Sequence, residues 1–244
     1  INDPKYDRKA VDVPEAQLLG ERQLSFLREW GRDWDGVQMK AVLSQTIFAG
    51  GAHIHRGQRL LADLDSNGWP QTGRNKALRE IRKSFALMIA GDQHLATVIH
   101  HGVDAWNDSG YSFCVPSIVN YYPRRWSPLE KGIEPVTDAL PHTGSYPDGL
   151  GNKVTMYAYA NPDVKRETYG PKDKGAAGHG IIRFNKQERT ITMECWRRES
   201  DVTDPQCRQF IGWPVTIRQE DNYARAAIAH LPLIRVSGAV DPVI

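Results

Sequence analysis

The chain has 244 residues, of which 40% are hydrophobic and 25% are charged, a balance typical of a globular protein with one sizeable core or two small ones. The formal net charge of +2 is close to zero for this length, so composition gives no support to nucleic-acid or membrane-surface binding. No apolar run reaches the ~18 residues of a membrane-spanning helix, and three cysteines without metal-site spacing predict no disulfide framework.

The first part of the chain alternates helical and strand-like patterns. Pro14 is expected to open a helix that runs to about residue 30, because a proline at the first helical position loses no hydrogen bond. Apolar residues at 37–48 predict a strand, residues 72–84 predict a second helix, and the apolar run 85–90 predicts a second buried strand. This order predicts a parallel pair of strands joined by a right-handed crossover.

Polar residues follow the second of these strands. Gly91–His94 reads Gly-Asp-Gln-His, which places a carboxylate and an imidazole at the end of a strand. Open α/β sheets bind ligands at this edge, and Asp92 and His94 carry side chains that coordinate metal ions. The preceding parallel strand ends at the same edge, so the loop with His53 and His55 is expected beside them. These two histidines belong either to the site or to a solvated loop.

Beyond residue 95 the pattern changes to β structure. Strands are predicted at 95–101, 111–119 and 153–159, and alternating apolar residues predict a hairpin formed by 181–185 and 190–196. Residues 123–150 and 160–179 contain many Pro and Gly residues, so both are expected to be long surface loops.

Several segments occur in an order that matches one family of phosphatases. They are Leu19–Leu27, Asp65–Pro70, Gly91–His101 and Val115–Trp126, with weaker support from Trp213–Pro214 and Gln219–Tyr223. Together these segments resemble the PhoD-like alkaline phosphatases of the metallophosphoesterase superfamily. The resemblance covers most of residues 14–126.

The resemblance implies an α/β fold, namely the C-terminal part of a metallophosphoesterase-type β-sandwich flanked by helices, with an appended β-rich region. Residues 1–126 would form the C-terminal half of the phosphatase core, and residues 127–244 a β-rich extension with long loops packed on it. That family carries most of its metal ligands upstream of the first helix, so an N-terminal part of the same chain is expected to be missing. A periplasmic or extracellular location is also implied.

The implied activity is hydrolysis of phosphate mono- or diesters by a metal-bound hydroxide. The resemblance points to calcium with iron as the metals, and zinc or manganese stays open. Asp92 and His94 are the expected metal ligands, and His53 and His55 are the candidate catalytic residues. The alternative function is a non-catalytic β-rich module that binds carbohydrates or surfaces.

Candidate substrate-binding residues lie on the loop after the strand predicted at 111–119. A guanidinium group suits a phosphate oxyanion because it donates two parallel hydrogen bonds, although paired arginines also form ordinary surface salt bridges. The candidates are Asn120, Tyr121, Arg124 and Arg125. His100 and His101 lie along a strand that leads away from the edge, and a structural role is expected for both.

Overall fold

The computed structural model describes residue 3 and residues 5–55, 57–120, 122–162 and 175–226. These residues form a mixed α/β structure with few helices. The helices are α1 (Arg8–Val11), α2 (Glu21–Arg32) and α3 (Gln71–Ile81), and a 3-10 turn (Arg82–Ser84) extends α3. The strands are β1 (Ala41–Leu43), β2 (Ile54–His55), β3 (Gln58–Arg59), β4 (Leu87–Ala90), β5 (Ala96–His101), β6 (Tyr111–Cys114), β7 (Arg124–Arg125), β8 (Gly144–Pro147), β9 (Lys153–Ala160), β10 (Gly178–Asn185), β11 (Thr190–Arg197) and β12 (Val215–Arg218).

A six-stranded mixed sheet organises the molecule, in the order β1-β4-β6-β5-β9-β8. Strands β1, β4 and β6 are mutually parallel, whereas β5, β9 and β8 pair in antiparallel fashion. Ala41 pairs with Leu87 and Leu43 with Ile89, and α3 lies between these strands in the chain. The predicted parallel pair with an intervening helix is therefore confirmed.

The two faces of the sheet are covered differently. On one face, Met88 packs in a cluster with Ala77, Leu78 and Ile81 of α3, and Leu27 of α2 packs against that cluster. On the other face, the Phe113 ring lies 6.5 Å from the Trp213 ring, in the same cluster as residues of the three-stranded sheet β10-β11-β12. Neighbouring residues of a strand point to opposite faces, so helices cover one side and a second sheet covers the other.

Several predicted boundaries are wrong. The helix predicted from Pro14 is α2, which begins at Glu21, with Gly20 as its N-cap and the Gly20 N–H donating to the Gln23 side chain at 3.1 Å. The strand predicted at 37–48 is limited to Ala41–Leu43, and the residues after it turn into a buried loop. The strand predicted at 111–119 ends at Cys114, two residues before Pro116, which cannot donate a ladder hydrogen bond.

The later strands agree better with the sequence pattern. The hairpin is confirmed as β10 and β11, with Ile181 opposite Glu194. Strands β8 and β9 come from beyond the predicted boundary at residue 126, yet they belong to the large sheet; the division into two domains stays a prediction. Residues 163–174 of the predicted second long loop lie outside the described residues.

Within the described part of the chain, no helix combines the length and apolar character that crossing a bilayer would require. Cys114, Cys195 and Cys207 are free thiols, and the first two are buried.

Candidate functional site

The segments that follow the three parallel strands are tied together at one edge of the large sheet. The Ser44 N–H donates to the Ile89 carbonyl at 2.9 Å, and the Gly91 N–H donates to the Gln45 carbonyl at 3.1 Å. The Val115 N–H donates to the Ala90 carbonyl at 2.8 Å. This edge therefore gathers the loops after β1, β4 and β6, in the place where α/β sheets bind their ligands.

The turn after β4 has an unusual backbone. Asp92 has φ +67° and His94 has φ +52°, both in the left-handed region that non-glycine residues rarely adopt. Gln93 lies buried between them, and its side-chain amide donates to the Thr46 hydroxyl at 2.8 Å. The Asp92 side chain is exposed and that of His94 is half-buried. Asp and His adopt this region more readily than most non-glycine residues, and the buried contact of Gln93 with Thr46 helps to hold the turn in place.

Asn120 fixes both the position and the tautomer of His94. Its side-chain N–H groups donate to the carbonyls of His94 (3.2 Å) and Gly175 (2.6 Å), which settles the orientation of the amide. The Asn120 oxygen then lies 3.2 Å from Nδ1 of His94, so Nδ1 must carry the proton. In the neutral form of the ring, the other nitrogen, Nε2, then keeps its lone pair. A histidine oriented through one nitrogen by a carbonyl oxygen is the usual arrangement for a metal ligand.

Arg124 lies next to this turn. Its backbone N–H donates to the His94 carbonyl at 3.3 Å, and one terminal nitrogen contacts both Asp63 and the Gln93 oxygen, the latter at 3.3 Å. The ion pair with Asp63 is mostly buried. Within the described ranges, the Arg124 Nε is buried without a hydrogen-bond partner. His55 stands directly across from Arg124 in the pairing of β2 with β7.

The two candidate catalytic histidines have different surroundings. The His53 ring packs against the buried Trp126, with the ring centres 4.4 Å apart and the planes tilted by 42°, and its Nδ1 accepts the Ser127 N–H at 3.2 Å. Burial, followed by the charges of Arg59 and His142, lowers the pKa of His53 to about 4. His53 is therefore a neutral packing residue at pH 7, whereas His55 is the member of the pair that faces Arg124.

Of the two remaining substrate-binding candidates, Arg125 and Tyr121, the structure describes Arg125. The Arg125 guanidinium donates to the Pro162 carbonyl, and the Arg125 carbonyl accepts the His53 N–H at 2.8 Å. Arg125 thus braces the loop near β9. Tyr121 lies outside the described residues.

Two buried groups on the same sheet, His101 and Cys114, have partners inside the protein. His101 contacts Arg74 through Nδ1 at 3.2 Å and Ser112 through Nε2 at 2.8 Å, and it is fully enclosed. Burial raises the pKa of the Cys114 thiol to about 12, so this cysteine is not a nucleophile at neutral pH.

The metal donors that the described residues offer are few. Among them, no group of three or more His, Cys, Asp or Glu side chains lies close enough together to hold a metal ion. The orientation of His94 fits a ligand, and Asp92 adds an exposed carboxylate. These two donors are fewer than the about four to six that a metal coordination sphere usually needs.

Sequence reasoning missed two members of this cluster, Asp63 and Gln93. Asp63 is distant in sequence and has no motif spacing to reveal it, and only the buried ion pair with Arg124 shows its place. Gln93 could have been recognised as the residue between two predicted ligands. Its inward orientation depends on the left-handed conformation of its neighbours, which sequence does not predict for non-glycine residues.

Comparison with known proteins gives one structural likeness. No protein-family model matches the chain, and no curated protein matches it. A solved structure described as "Structure of PhoD" is similar to it, with a TM-score of 0.47 and 12% sequence identity. The similarity covers 93% of this chain and 38% of that chain, so the chain spans well under half the length of the structure that it matches. The name of that protein is also the name of the family that the sequence segments resemble. At this TM-score the likeness defines neither the details of the fold nor the function.

Proposed function

We propose that this chain supplies part of the active site of a metal-dependent phosphatase or phosphodiesterase that hydrolyses phosphate mono- or diesters. The proposal rests chiefly on His94, whose Nδ1 proton is held by Asn120 so that the Nε2 lone pair is left for a ligand. A structural histidine of this chain looks different, because both ring nitrogens of His101 have partners in the core.

Arg124 is the proposed phosphate-binding residue. A guanidinium with an unpaired N–H can bind a phosphoryl oxygen through a charge-assisted hydrogen bond. The Nε of Arg124 is such a group, and the contacts with Asp63 and Gln93 hold the side chain in place. His55, which pairs across from Arg124, is the proposed acid or base.

Asp92 and Nε2 of His94 would hold the metal. When bound, the metal would polarise a phosphoryl oxygen and lower the pKa of a bound water. Calcium with iron is the proposed metal content, and zinc or manganese is the alternative. This choice, like a periplasmic or extracellular location, rests on the sequence resemblance alone.

Further polypeptide would complete the site. Strand β1 lies at an edge of the sheet, and Leu43 on it is 80% exposed. Between β1 and α2 lies a largely apolar cavity of about 490 Å³, and Phe26 on its wall is 63% exposed. Large apolar side chains on an open sheet edge favour additional structure at this position.

Metal binding tests the proposal directly. Titration with Mn²⁺, a paramagnetic ion, followed by NMR of the histidine rings, should broaden the His94 signals first. In His94→Ala, the backbone amide signals of Asp92 and Gln93 should no longer broaden, whereas in His179→Ala, which changes a partly exposed histidine on β10, they should broaden as in the parent. The spectrum should also show a proton on Nδ1 of His94. Broadening that is unchanged in His94→Ala would refute the site and favour a non-catalytic binding module.

Activity gives a second test. With only two donors from this chain, the isolated 244 residues should hydrolyse p-nitrophenyl phosphate and its bis ester no faster than buffer containing the same metals. Robust metal-dependent turnover would contradict the view that the chain is an incomplete part of the enzyme.

A further inference from the structure

A group of exposed apolar side chains lies on the loop after β6, next to His94. Ile118 is 58% exposed, Val119 is 39% exposed and Tyr122 is 48% exposed. Single exposed apolar residues are common on protein surfaces. Three of them within five positions, beside a polar cluster, form the combination of apolar wall and few polar groups that is typical of small-molecule sites.

The loop is held in a fixed place relative to the polar cluster. Asn120, which lies between Val119 and Tyr122, bonds to the His94 ring, the His94 carbonyl and the Gly175 carbonyl. The Arg124 N–H bonds to the same His94 carbonyl from the other side of Tyr122. The Tyr122 ring is centred 6.4 Å from the His94 ring. The Tyr122 ring therefore stands at a defined distance from the groups proposed to bind metal and phosphate, and Ile118 and Val119 lie just before it on the same loop.

We propose that Ile118, Val119 and Tyr122 bind the alcohol portion of the phosphate ester, and that this portion is apolar, such as an aryl or long alkyl group. The inference rests on the proposed function, because it assumes that the phosphoryl group binds at His94 and Arg124. An apolar alcohol gains affinity by covering these side chains. A hydrophilic alcohol such as glycerol or a sugar would leave them in water and gain little.

The experiment compares three ligands on the intact chain by NMR titration with saturating Mg²⁺: inorganic phosphate, glycerol phosphate and phenyl phosphate. Phenyl phosphate should bind roughly tenfold more tightly than glycerol phosphate, since one ring face would leave water. The amide signals of residues 118, 119 and 122 should shift with phenyl phosphate and hardly with phosphate. Tyr122→Ala and Ile118→Ala should each reduce the ratio of the two ester affinities and leave phosphate affinity unchanged.

The control variant is Ile211→Ala, which removes an apolar side chain that is 67% exposed in the loop before β12. It should keep the full preference for phenyl phosphate. Equal affinities for the two esters, with phosphate still bound at Arg124, would overturn the inference and leave the proposed function standing. An equal loss of affinity for all three ligands in Tyr122→Ala would also overturn the inference. If phosphate fails to perturb His94 and Arg124 at all, the proposed function fails and the inference falls with it.

Discussion

Two arginines, the buried Arg74 and the mostly buried Arg124, use their hydrogen-bond donors in different ways. Arg74 lies on α3, is 1% exposed and uses all three of its nitrogens. Nε donates to the Phe48 carbonyl at 2.9 Å, Nη1 donates to the Gly102 carbonyl at 2.6 Å, and Nη2 contacts His101 at 3.2 Å. Its burial lowers the pKa to about 10, although nearby carboxylates oppose this effect. Arg74 therefore joins α3, the loop after β1 and the end of β5.

Arg124 contrasts with Arg74 in how its donors are used. One terminal nitrogen contacts Asp63 and Gln93, while Nε is left without a partner in the described part of the chain. A buried donor without a partner costs stability, and a ligand that accepts its hydrogen bond recovers that cost. The difference teaches that residue type does not separate a functional arginine from a structural one. What separates the two arginines is whether each guanidinium donor has a partner within the described part of the protein.

The largest effect should come from Arg74→Lys. Lysine keeps the charge but cannot reach Phe48, Gly102 and His101 together, so buried acceptors lose their donor. We expect the free energy of unfolding to fall by about 2–4 kcal/mol, measured by urea denaturation at pH 7.5. A loss below about 1 kcal/mol would mean that Arg74 is not the structural member of the comparison.

The pH dependence of stability tests whether His53 is a structural residue, as Arg74 is. The pKa of His53 is about 4 in the folded chain and about 6.5 when unfolded. The unfolded chain therefore binds a proton first, so the stability contributed by neutral His53 is complete above pH 6.5 and is lost as the pH falls towards 4. In His53→Asn, the side-chain oxygen can still accept the Ser127 N–H and nothing titrates. We expect the loss of stability between pH 7 and 4.5 to be smaller by about 2 kcal/mol.

Some pH dependence should remain in His53→Asn, because burial also lowers the pKa of His100 to about 4. Urea denaturation of both proteins at several pH values provides the measurement. Parallel stability curves for the two proteins would show that His53 is not the buried neutral residue described here.

The sequence predicted the scaffold of this edge better than the site on it. The apolar run 85–90 and the helix before it were sufficient to predict that β4 is parallel to β1, because this topology follows from strand and helix order. The apolar pattern overestimated the length of β1, because Thr46 and Ile47 are as buried as strand residues although they lie in a loop. Apolar periodicity reports burial and does not distinguish a strand from a buried turn.

The details of the site depend on long-range contacts that no local pattern contains. Asp63 meets Arg124 from 61 positions away, and Asn120 meets His94 from 26 positions away. Sequence spacing also gave His53 and His55 equal standing. The structure separates them, because His53 packs on Trp126 and accepts the Ser127 N–H, whereas His55 pairs with Arg124.

Arg124→Lys should have a smaller effect on stability than the same change at Arg74. Lysine can keep the ion pair with Asp63, so we expect the free energy of unfolding to change by less than about 1 kcal/mol. The lost Nε–H should weaken phosphate binding about tenfold, measured by NMR titration beside Arg125→Lys as the control. Unchanged phosphate affinity in Arg124→Lys would remove Arg124 from the proposed site.

The smallest change in stability should come from Asp92→Asn. The side chain is exposed and the backbone has φ +67°, a conformation that asparagine adopts at least as easily as aspartate. We therefore expect the free energy of unfolding to stay within about 0.5 kcal/mol of the parent. Asparagine keeps the shape of the side chain but removes its charge, so broadening of the His94 signals by Mn²⁺ should require at least about tenfold more metal. Asp104→Asn, which alters a carboxylate paired with Arg79 in the loop after β5, is the matched control and should leave the titration unchanged. If the Asp92→Asn protein binds Mn²⁺ like the parent, His94 is the only metal ligand that the turn after β4 contributes. All carboxylate ligands of the metal would then come from outside this turn.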